Sequence, residues 1–218
     1  MLVAIDFMVW PKSVLVYNIA AVIHFHCQLD YHWKGYLQFP DVHGLFQKDY
    51  LGLQHPTVPP EPTGKTLLVW GGSSSVGSNA IQLAVAVGYE VISTASPKNF
   101  LYAKKLGASQ VLDYHSEMIV DELVEAFKGQ KAAALANPPP KDLVLPEGVS
   151  TKFIFASDLK DNEVSQAIYV DFLPKALAAG TYTCAPDPEV VGKGLENIQP
   201  ALEILKKGVS AKKLVVSL

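Results

Sequence analysis

A glycine- and serine-rich turn carries the clearest chemical signal in this sequence. Gly71–Gly77 reads Gly-Gly-Ser-Ser-Ser-Val-Gly and lies between an apolar run, Thr66–Trp70, and a helical pattern, Ser78–Val87. A buried strand, a tight turn and a helix N-terminus in this order direct backbone N–H groups and the positive end of the helix dipole toward one point. The order therefore predicts a binding site for a diphosphate.

The glycine spacing partly fits the Gly-x-Gly-x-x-Gly pattern of dinucleotide-binding turns. Gly72 and Gly77 occupy its first and third positions, which serve a tight turn and close helix packing, and Ser74 stands at the middle one. Ser74 departs from the middle glycine, which normally lets the backbone approach the pyrophosphate, and the hydroxyls of Ser73, Ser74 and Ser75 can partly compensate as phosphate donors. The alternative is a serine-rich turn that only caps a helix. The predicted cofactor contacts of the turn are Gly72, Ser73, Ser74, Ser75, Val76 and Gly77.

The end of the next strand predicts which nucleotide is preferred. Enzymes that favour NAD carry Asp or Glu about 20 residues after the turn, to bind the ribose 2′-OH. Thr94, Ala95 and Ser96 stand there, and none is acidic. Lys98 follows closely, and a cation with hydroxyls attracts a 2′-phosphate. We therefore predict NADP(H) rather than NAD(H). Helix capping by Ser96, with a proline at the first helical position, is compatible with this role. The predicted contacts are Thr94, Ser96, Pro97, Lys98 and Asn99.

Tyr114 follows the third predicted strand. In that place a tyrosine ring can stack on, or hydrogen bond near, the adenosine end of the cofactor. The alternative, an aromatic ring that covers the edge of the sheet, stays open at this point.

The histidines do not predict a metal site. His24, His26, Cys27 and His32 lie within nine residues, but they match no zinc-ligand spacing. We therefore predict that the chain binds no metal. The two cysteines are far apart in sequence and form no disulfide framework, and Cys184 is predicted to be a small buried hydrophobe.

Alternating elements position these residues. The predicted strands of the central region are Leu67–Trp70, Glu90–Ala95 and Gln110–Asp113, and the predicted helices are Ser75–Val87, Lys98–Leu106 and Ser116–Phe127. Such alternation implies right-handed βαβ units and a parallel sheet. The later predicted elements are strand Thr151–Ala156, helix Asn162–Ala179 interrupted at Pro174, strand Glu189–Val191, helix Gly194–Lys207 and strand Lys213–Ser217.

Composition narrows the class of protein. The chain has 218 residues and a formal net charge of −3, so no basic field suggests nucleic acid. We find no signal-peptide pattern and no apolar run long enough to cross a membrane, which predicts a cytoplasmic protein. His55–Pro62 holds four prolines in eight residues, and we place a domain boundary there.

With these residues, the chain resembles the medium-chain dehydrogenase/reductase superfamily. It is most similar to the zinc-independent branch, with the quinone-oxidoreductase-like proteins and the fungal trans-acting enoyl reductases. The matching stretches are Gly44–Leu53, Gly64–Asp113 and Leu145–Leu218. The resemblance implies a Rossmann domain joined to a GroES-like β domain, NADPH between them, and hydride transfer to a small-molecule enoyl, enone or quinone. It also implies dimerisation through an edge of the Rossmann sheet.

The resemblance gives expected domain bounds. Residues 1–60 would form a partial GroES-like portion that ends in the proline-rich linker, residues 61–185 a Rossmann NADP-binding domain shortened near 131–140, and residues 186–218 a return to the GroES-like portion. Much of the family's GroES-like domain has no counterpart before Gly44, and no catalytic residue can be carried over. Two alternatives therefore stay open: a catalytically incomplete NADP-binding remnant, and a zinc-dependent alcohol dehydrogenase.

Overall fold

The computed structural model describes residues 2–5, 39–48, 50–128 and 163–217, with backbone alone for 2–5, 39–41 and 43. The chain divides into two compact units, one formed by Leu37–Thr183 and the other by Met1–Tyr36 together with Cys184–Leu218. The first unit thus includes the proline-rich linker. The predicted division at residues 60 and 185, and the GroES-like character of the outer parts, stay predictions.

Both units contain strands and helices. The described strands are β1 (Leu2–Ile5), β2 (Thr66–Val69), β3 (Glu90–Ala95), β4 (Gln110–Asp113), β5 (Asp187–Lys193) and β6 (Lys212–Ser217). The described α-helices are α1 (Phe39–Phe46), α2 (Ser75–Val87), α3 (Phe100–Lys105), α4 (Ile119–Ala126), α5 (Glu163–Ser165), α6 (Leu173–Ala178) and α7 (Ile198–Lys206).

The first unit is built on a parallel sheet in the order β2-β3-β4. Leu67, Val69 and Val91 of the strands are almost fully buried, because apolar side chains on both faces of a parallel strand need cover. Helix α2 supplies part of that cover with Ile81 and Leu83, both fully buried, and α3 packs on β3 and β4. The predicted α/β class is confirmed.

The bounds of the central elements follow the sequence closely. Helix α2 and strands β3 and β4 have the predicted limits. The next two helices begin later than predicted because short turns precede them. A 3₁₀ turn, Pro97–Asn99, comes before α3, and before α4 the Ser116 hydroxyl accepts from Met118 N while the Ser116 carbonyl accepts from Ile119 N. The predicted strand at residues 151–156 lies outside the described residues.

The predicted long helix near the end of the first unit is divided in three. Helix α5 runs into a π-helical stretch, Gln166–Phe172, and α6 begins one residue before Pro174. The proline therefore stands at the start of a helical segment, where its missing N–H costs no helical hydrogen bond. The expected interruption falls on the N-terminal side of the proline.

Buried polar residues of α2 hold the last residues of the first unit. Asn79 Oδ1 accepts a hydrogen bond of 2.7 Å from the Tyr182 hydroxyl. Gln82 Oε1 accepts from Thr183 N at 2.8 Å, and Gln82 Nε2 donates to Thr183 O at 3.1 Å. One side-chain amide thus pairs with both main-chain polar groups of Thr183, as a neighbouring strand would.

The second unit contains a sheet in the order β1-β6-β5, in which β6 pairs antiparallel with β1 and parallel with β5. Ala201 and Leu205 of α7 pack against Leu214 and Val216 of β6. The strand predicted near Glu189–Val191 is longer than expected. The predicted helix from residue 194 begins with a 3₁₀ turn, Leu195–Asn197, followed by α7.

Candidate functional site

Hydrogen bonds to the end of β3 fix the glycine-rich turn. Gly71 N donates to Thr94 Oγ1 at 3.0 Å, and Gly72 N donates to Thr94 O at 2.8 Å. Thr94 is fully buried. The residue predicted to contact the cofactor therefore supports the turn with both its hydroxyl and its carbonyl group, and direct contact with a cofactor stays a prediction.

Each glycine of the turn has a separate reason to lack a side chain. Gly71 has a φ of +76°, the left-handed region that glycine adopts without strain, so Gly71 rather than Gly72 makes the tight bend. A Cβ on Gly72 would overlap Ser93 Oγ and lie 2.7 Å from Ile81 Cδ1. A Cβ on Gly77 would overlap the carbonyl oxygen of Gly71. The turn and the first helical residues are therefore in direct backbone contact.

The three serines of the turn differ in role and in solvent exposure. The exposed Ser74 is the N-cap of α2, and its Oγ accepts from Gly77 N at 3.0 Å. The capping interpretation is therefore correct for this residue. It does not preclude phosphate binding, because a hydroxyl that accepts with a lone pair still carries a hydrogen to donate. Ser75 is buried and Ser73 half-buried, so the hydroxyls of the turn differ in their access to solvent.

A second layer of hydrogen bonds stabilises the turn. Ser78 Oγ donates to Ser74 O at 2.6 Å, lies 3.2 Å from Gly72 O and is 2.8 Å from the Tyr102 hydroxyl. Tyr102 belongs to α3, so the turn is connected to the next βα unit as well as to β3. Such a network keeps the backbone N–H groups of the turn in fixed directions, as preorganised anion binding requires.

The backbone amides at the start of α2 differ in their hydrogen bonds. An α-helix leaves its first four N–H groups without helical partners. Here Gly77 N donates to Ser74 Oγ and Ser78 N donates to Ser74 O. The half-exposed Val76 N has no hydrogen bond within the part of the chain that the structure describes. The helix dipole adds a positive potential at this point, and the first turn of the helix contains no acidic residue.

The residues predicted for the 2′-phosphate and the adenosine meet at the carboxyl edge of the sheet. Ser96 Oγ lies 3.4 Å from the Tyr114 hydroxyl, which joins the end of β3 to the residue that follows β4. Lys98 is exposed in the adjacent 3₁₀ turn, and Asn99 is 8% exposed. Pro97 stands at the first position of that turn, as predicted, but the Ser96 side chain makes no capping hydrogen bond. Ser96 is thus the N-cap residue of that turn, as predicted, but its hydroxyl lies beside Tyr114 and makes no cap.

Sequence reasoning missed two residues at this edge. Asp113 ends β4 in register with Ala95 of β3. His115 donates from its backbone N to Asp113 Oδ1 at 3.0 Å, and its Nδ1 is also 3.0 Å from that oxygen. The imidazole ring lies on Tyr114, with ring centroids 4.0 Å apart. The available signal was an Asp-Tyr-His sequence at the end of a strand that pairs with β3.

Other sequence predictions have separate outcomes. Cys184 is exposed, so its predicted burial is wrong, and the buried hydrophobic residue nearby is Tyr182, two positions earlier. The cluster His24, His26, Cys27 and His32 lies outside the described residues. Within the described ranges, no three His, Cys, Asp or Glu residues are arranged to hold a metal ion.

Two cavities lie away from the turn. One, of about 340 Å³, is lined by residues that include Pro62, Lys65 and Tyr89. Burial raises the pKa of the Tyr89 hydroxyl. The other, of about 520 Å³, is lined by residues that include Phe46 and His55. Neither cavity is lined by a residue of the turn. Across the described ranges, every helix is too short or too polar to span a bilayer.

Comparison with known proteins agrees with this geometry. A family model described as zinc-binding dehydrogenase matches residues 75–142. Dehydrogenase azaJ of Aspergillus niger is 52% identical over 208 residues, which covers 80% of this chain and 59% of that protein. Trans-enoyl reductase himH of Aspergillus japonicus is 37% identical, over 77% of this chain and 56% of that protein. This chain thus spans less than two thirds of the length of these relatives.

A solved structure has the same fold. The crystal structure of CurA from Vibrio vulnificus, in complex with NADPH, covers 84% of this chain and 63% of its own with a TM-score of 0.59 and 21% identity. A quinone oxidoreductase of Pseudomonas syringae gives a TM-score of 0.57. The parallel sheet, the glycine-rich turn and these relatives define an α/β protein of the dehydrogenase type. The chain belongs to the medium-chain dehydrogenase/reductase superfamily.

Proposed function

We propose that this chain binds NADPH and transfers its hydride to an activated C=C bond or a quinone. The observation that carries the proposal is the preorganised turn: Gly71–Gly77 is fixed by Thr94 and Ser78, and it surrounds the N-terminus of α2. Because its glycines have no side chains, the turn exposes a surface of backbone atoms. A Cβ at position 77 would overlap the carbonyl oxygen of Gly71 and disrupt this surface. This is the surface that a diphosphate needs.

A preference for the 2′-phosphorylated cofactor rests on the second group of residues. Ser96 offers a hydroxyl, Lys98 an exposed cation, and Tyr114 an aromatic ring that is 38% exposed. All three follow the carboxyl ends of neighbouring parallel strands, the edge at which open α/β sheets bind ligands. A lysine ammonium and two hydroxyls suit a phosphate better than a bare ribose hydroxyl.

The division of labour follows from the class of cofactor. The nicotinamide supplies the hydride when bound, and the protein supplies binding and orientation. The turn would hold the diphosphate and Tyr114 would hold the adenosine, so these residues would position the cofactor for hydride transfer. Relatives named dehydrogenase and trans-enoyl reductase support an oxidoreductase, and the second name supports an enoyl group as the acceptor. Binding without turnover, as in a catalytically incomplete remnant, is the competing function.

Titration followed by a turnover assay tests the proposal. The full chain is titrated with NADPH and with NADH, and nicotinamide absorbance is then followed after addition of an enone or a quinone. We expect tighter binding of NADPH and loss of absorbance. Binding with no turnover for any acceptor would favour the remnant, and failure to bind either cofactor would refute the proposal.

The preference for NADPH has its own variant. Lys98→Ala removes one charge-assisted contact, which should cost about 1.5–3 kcal/mol of binding free energy for NADPH and none for NADH. Lys104→Ala is the matched control, because Lys104 is also an exposed lysine of the following helical segment and is not predicted to bind the cofactor. An equal loss for both cofactors would exclude the role of Lys98.

A further inference from the structure

A carboxylate lies at the edge where the proposed function needs a 2′-phosphate. Asp113 pairs in register with Ala95, which directly precedes Ser96. Neighbouring strands are about 4.8 Å apart, so the ends of β3 and β4 present their side chains to the same ligand. The Asp113 side chain is 31% exposed and thus partly accessible. A bare carboxylate here would repel a phosphate and favour NADH, against the preference predicted from Ser96 and Lys98.

The carboxylate is not bare, because His115 binds it twice. The backbone N and the ring Nδ1 of His115 both lie 3.0 Å from Asp113 Oδ1. A carboxylate oxygen only accepts, so Nδ1 is the protonated nitrogen of the ring in this arrangement. Two N–H groups directed at one oxygen draw its negative charge toward them and away from the ligand side.

The same imidazole also contacts the tyrosine of the site. Its ring centroid is 4.0 Å from that of Tyr114, with the planes inclined at 37°. The Tyr114 hydroxyl in turn lies 3.4 Å from Ser96 Oγ. A continuous chain of contacts therefore runs from Asp113 through His115 and Tyr114 to Ser96.

We propose that His115 is a positioning residue that makes this edge of the sheet selective for the 2′-phosphorylated cofactor. It does so because it forms hydrogen bonds with Oδ1 of the Asp113 carboxylate. The proposal rests on the proposed function and adds a determinant of its cofactor preference. His115 acts through Asp113: without the ring hydrogen bond only the backbone N of residue 115 binds Oδ1, and more of the negative charge of the carboxylate opposes the 2′-phosphate. Two groups then set the preference for NADPH together: the Lys98 ammonium, which attracts the 2′-phosphate, and the Asp113 carboxylate, whose charge His115 shields.

The test compares single and double variants by titration with NADPH and NADH. His115→Ala should weaken NADPH binding by about fivefold, the scale of one exposed charge pair, and change NADH binding by less than about twofold. Asp113→Asn in the same chain should restore the NADPH affinity, because the repelling charge is gone. A merely structural histidine would not be rescued by removal of that carboxylate.

Two further variants separate the donor from the ring. His115→Asn keeps a side-chain N–H donor near the position of Nδ1 and should retain the preference for NADPH, whereas His115→Phe keeps only the aromatic contact and should lose it. Retention in His115→Phe, or absence of rescue by Asp113→Asn, overturns the proposal. Melting curves show which variants are folded.

The nucleotide pair adenosine 2′,5′-bisphosphate and ADP separates this proposal from the proposed function. Both probes report on the edge without a nicotinamide, and the bisphosphate alone should lose affinity in His115→Ala. A wild-type chain that binds NADPH, with the variants unchanged, refutes the role of His115 alone. A wild-type chain that binds none of these nucleotides refutes both.

Discussion

The two ends of helix α2 differ in how their backbone polar groups without helical partners are satisfied. At its C-terminus, carbonyl groups that the helix leaves unpaired are taken by preceding residues: Thr57 N donates to Ala86 O, and Gln54 Nε2 donates to Val87 O. At its N-terminus, Ser74 caps one amide while the Val76 amide keeps no partner among the described residues. One end of the helix is closed by the chain itself, and the other is the end at which we propose that the cofactor binds.

A glycine is required at both ends, for different reasons. Gly88 has a φ of +93°, and a Cβ there would overlap the carbonyl oxygen of Glu61. Gly77 has ordinary helical backbone, and its Cβ would overlap Gly71 O. The first glycine therefore serves stability, and the second keeps the turn against the helix. The comparison predicts that damage at the closed end lowers stability and damage at the open end lowers affinity.

The largest effect is expected at the closed end. Gly88→Ala adds a strained left-handed residue and an overlap with backbone that cannot rotate away, so the free energy of unfolding should fall by about 3 kcal/mol or more. Gly208→Ala is the matched control: its φ is +95° and a Cβ would meet nothing within 4 Å. Denaturant unfolding of both variants measures the difference. Equal losses would mean that backbone strain, and not contact with Glu61, accounts for the effect.

An intermediate effect is expected at the open end. Gly77→Ala should push α2 away from the turn, lowering stability by about 1–3 kcal/mol and NADPH affinity by more than about tenfold. Ala86→Gly serves as control, because it costs about 1 kcal/mol of helix propensity without touching the turn. If Gly77→Ala weakens NADPH binding no more than Ala86→Gly does, the turn is not where the cofactor binds.

The smallest effect is expected at the N-cap. Ser74→Ala removes the hydrogen bond from Gly77 N and should lower the free energy of unfolding by about 1 kcal/mol. Ser74→Asp preserves the cap but adds a negative charge, so stability should be kept and NADPH binding weakened. Calorimetric unfolding measures the loss of stability in Ser74→Ala, and cofactor titration measures the loss of affinity in Ser74→Asp. Undiminished affinity in Ser74→Asp would contradict an anion site at this helix end.

Local chemistry explains why the central elements were predictable. The limits of α2 and β3 follow from an apolar run and a helical period bounded by glycine and serine, and both come from neighbouring residues. The sequence also offers helix capping by the serine-rich turn, and the structure shows that Ser74 is the capping residue. The glycine spacing predicts the tight turn at Gly72, whereas the left-handed backbone lies at Gly71, because two adjacent glycines give no local signal for which one bends.

Contacts between distant residues were not predictable from the sequence. The spacing predicts Thr94 as a cofactor contact, yet its hydrogen bonds to Gly71 and Gly72 depend on how β3 lies beside β2. The pairing of His115 with Asp113 is local, but its importance appears only once the register brings Asp113 beside Ala95. The π-helical stretch Gln166–Phe172 has no sequence signature that we recognise.

The amide pairing between Gln82 and Thr183 makes the two positions unequal in what they tolerate. Gln82 bonds to both main-chain groups of Thr183 and, through its Oε1, to the Thr183 hydroxyl as well. Position 183 can therefore vary widely, provided that it is not proline, since every other residue carries the same N–H and C=O groups. Position 82 cannot vary in the same way, because a shorter or apolar side chain would leave the N–H and C=O groups of Thr183 without these hydrogen bonds. In related chains, we therefore expect more amino-acid variation at position 183 than at position 82.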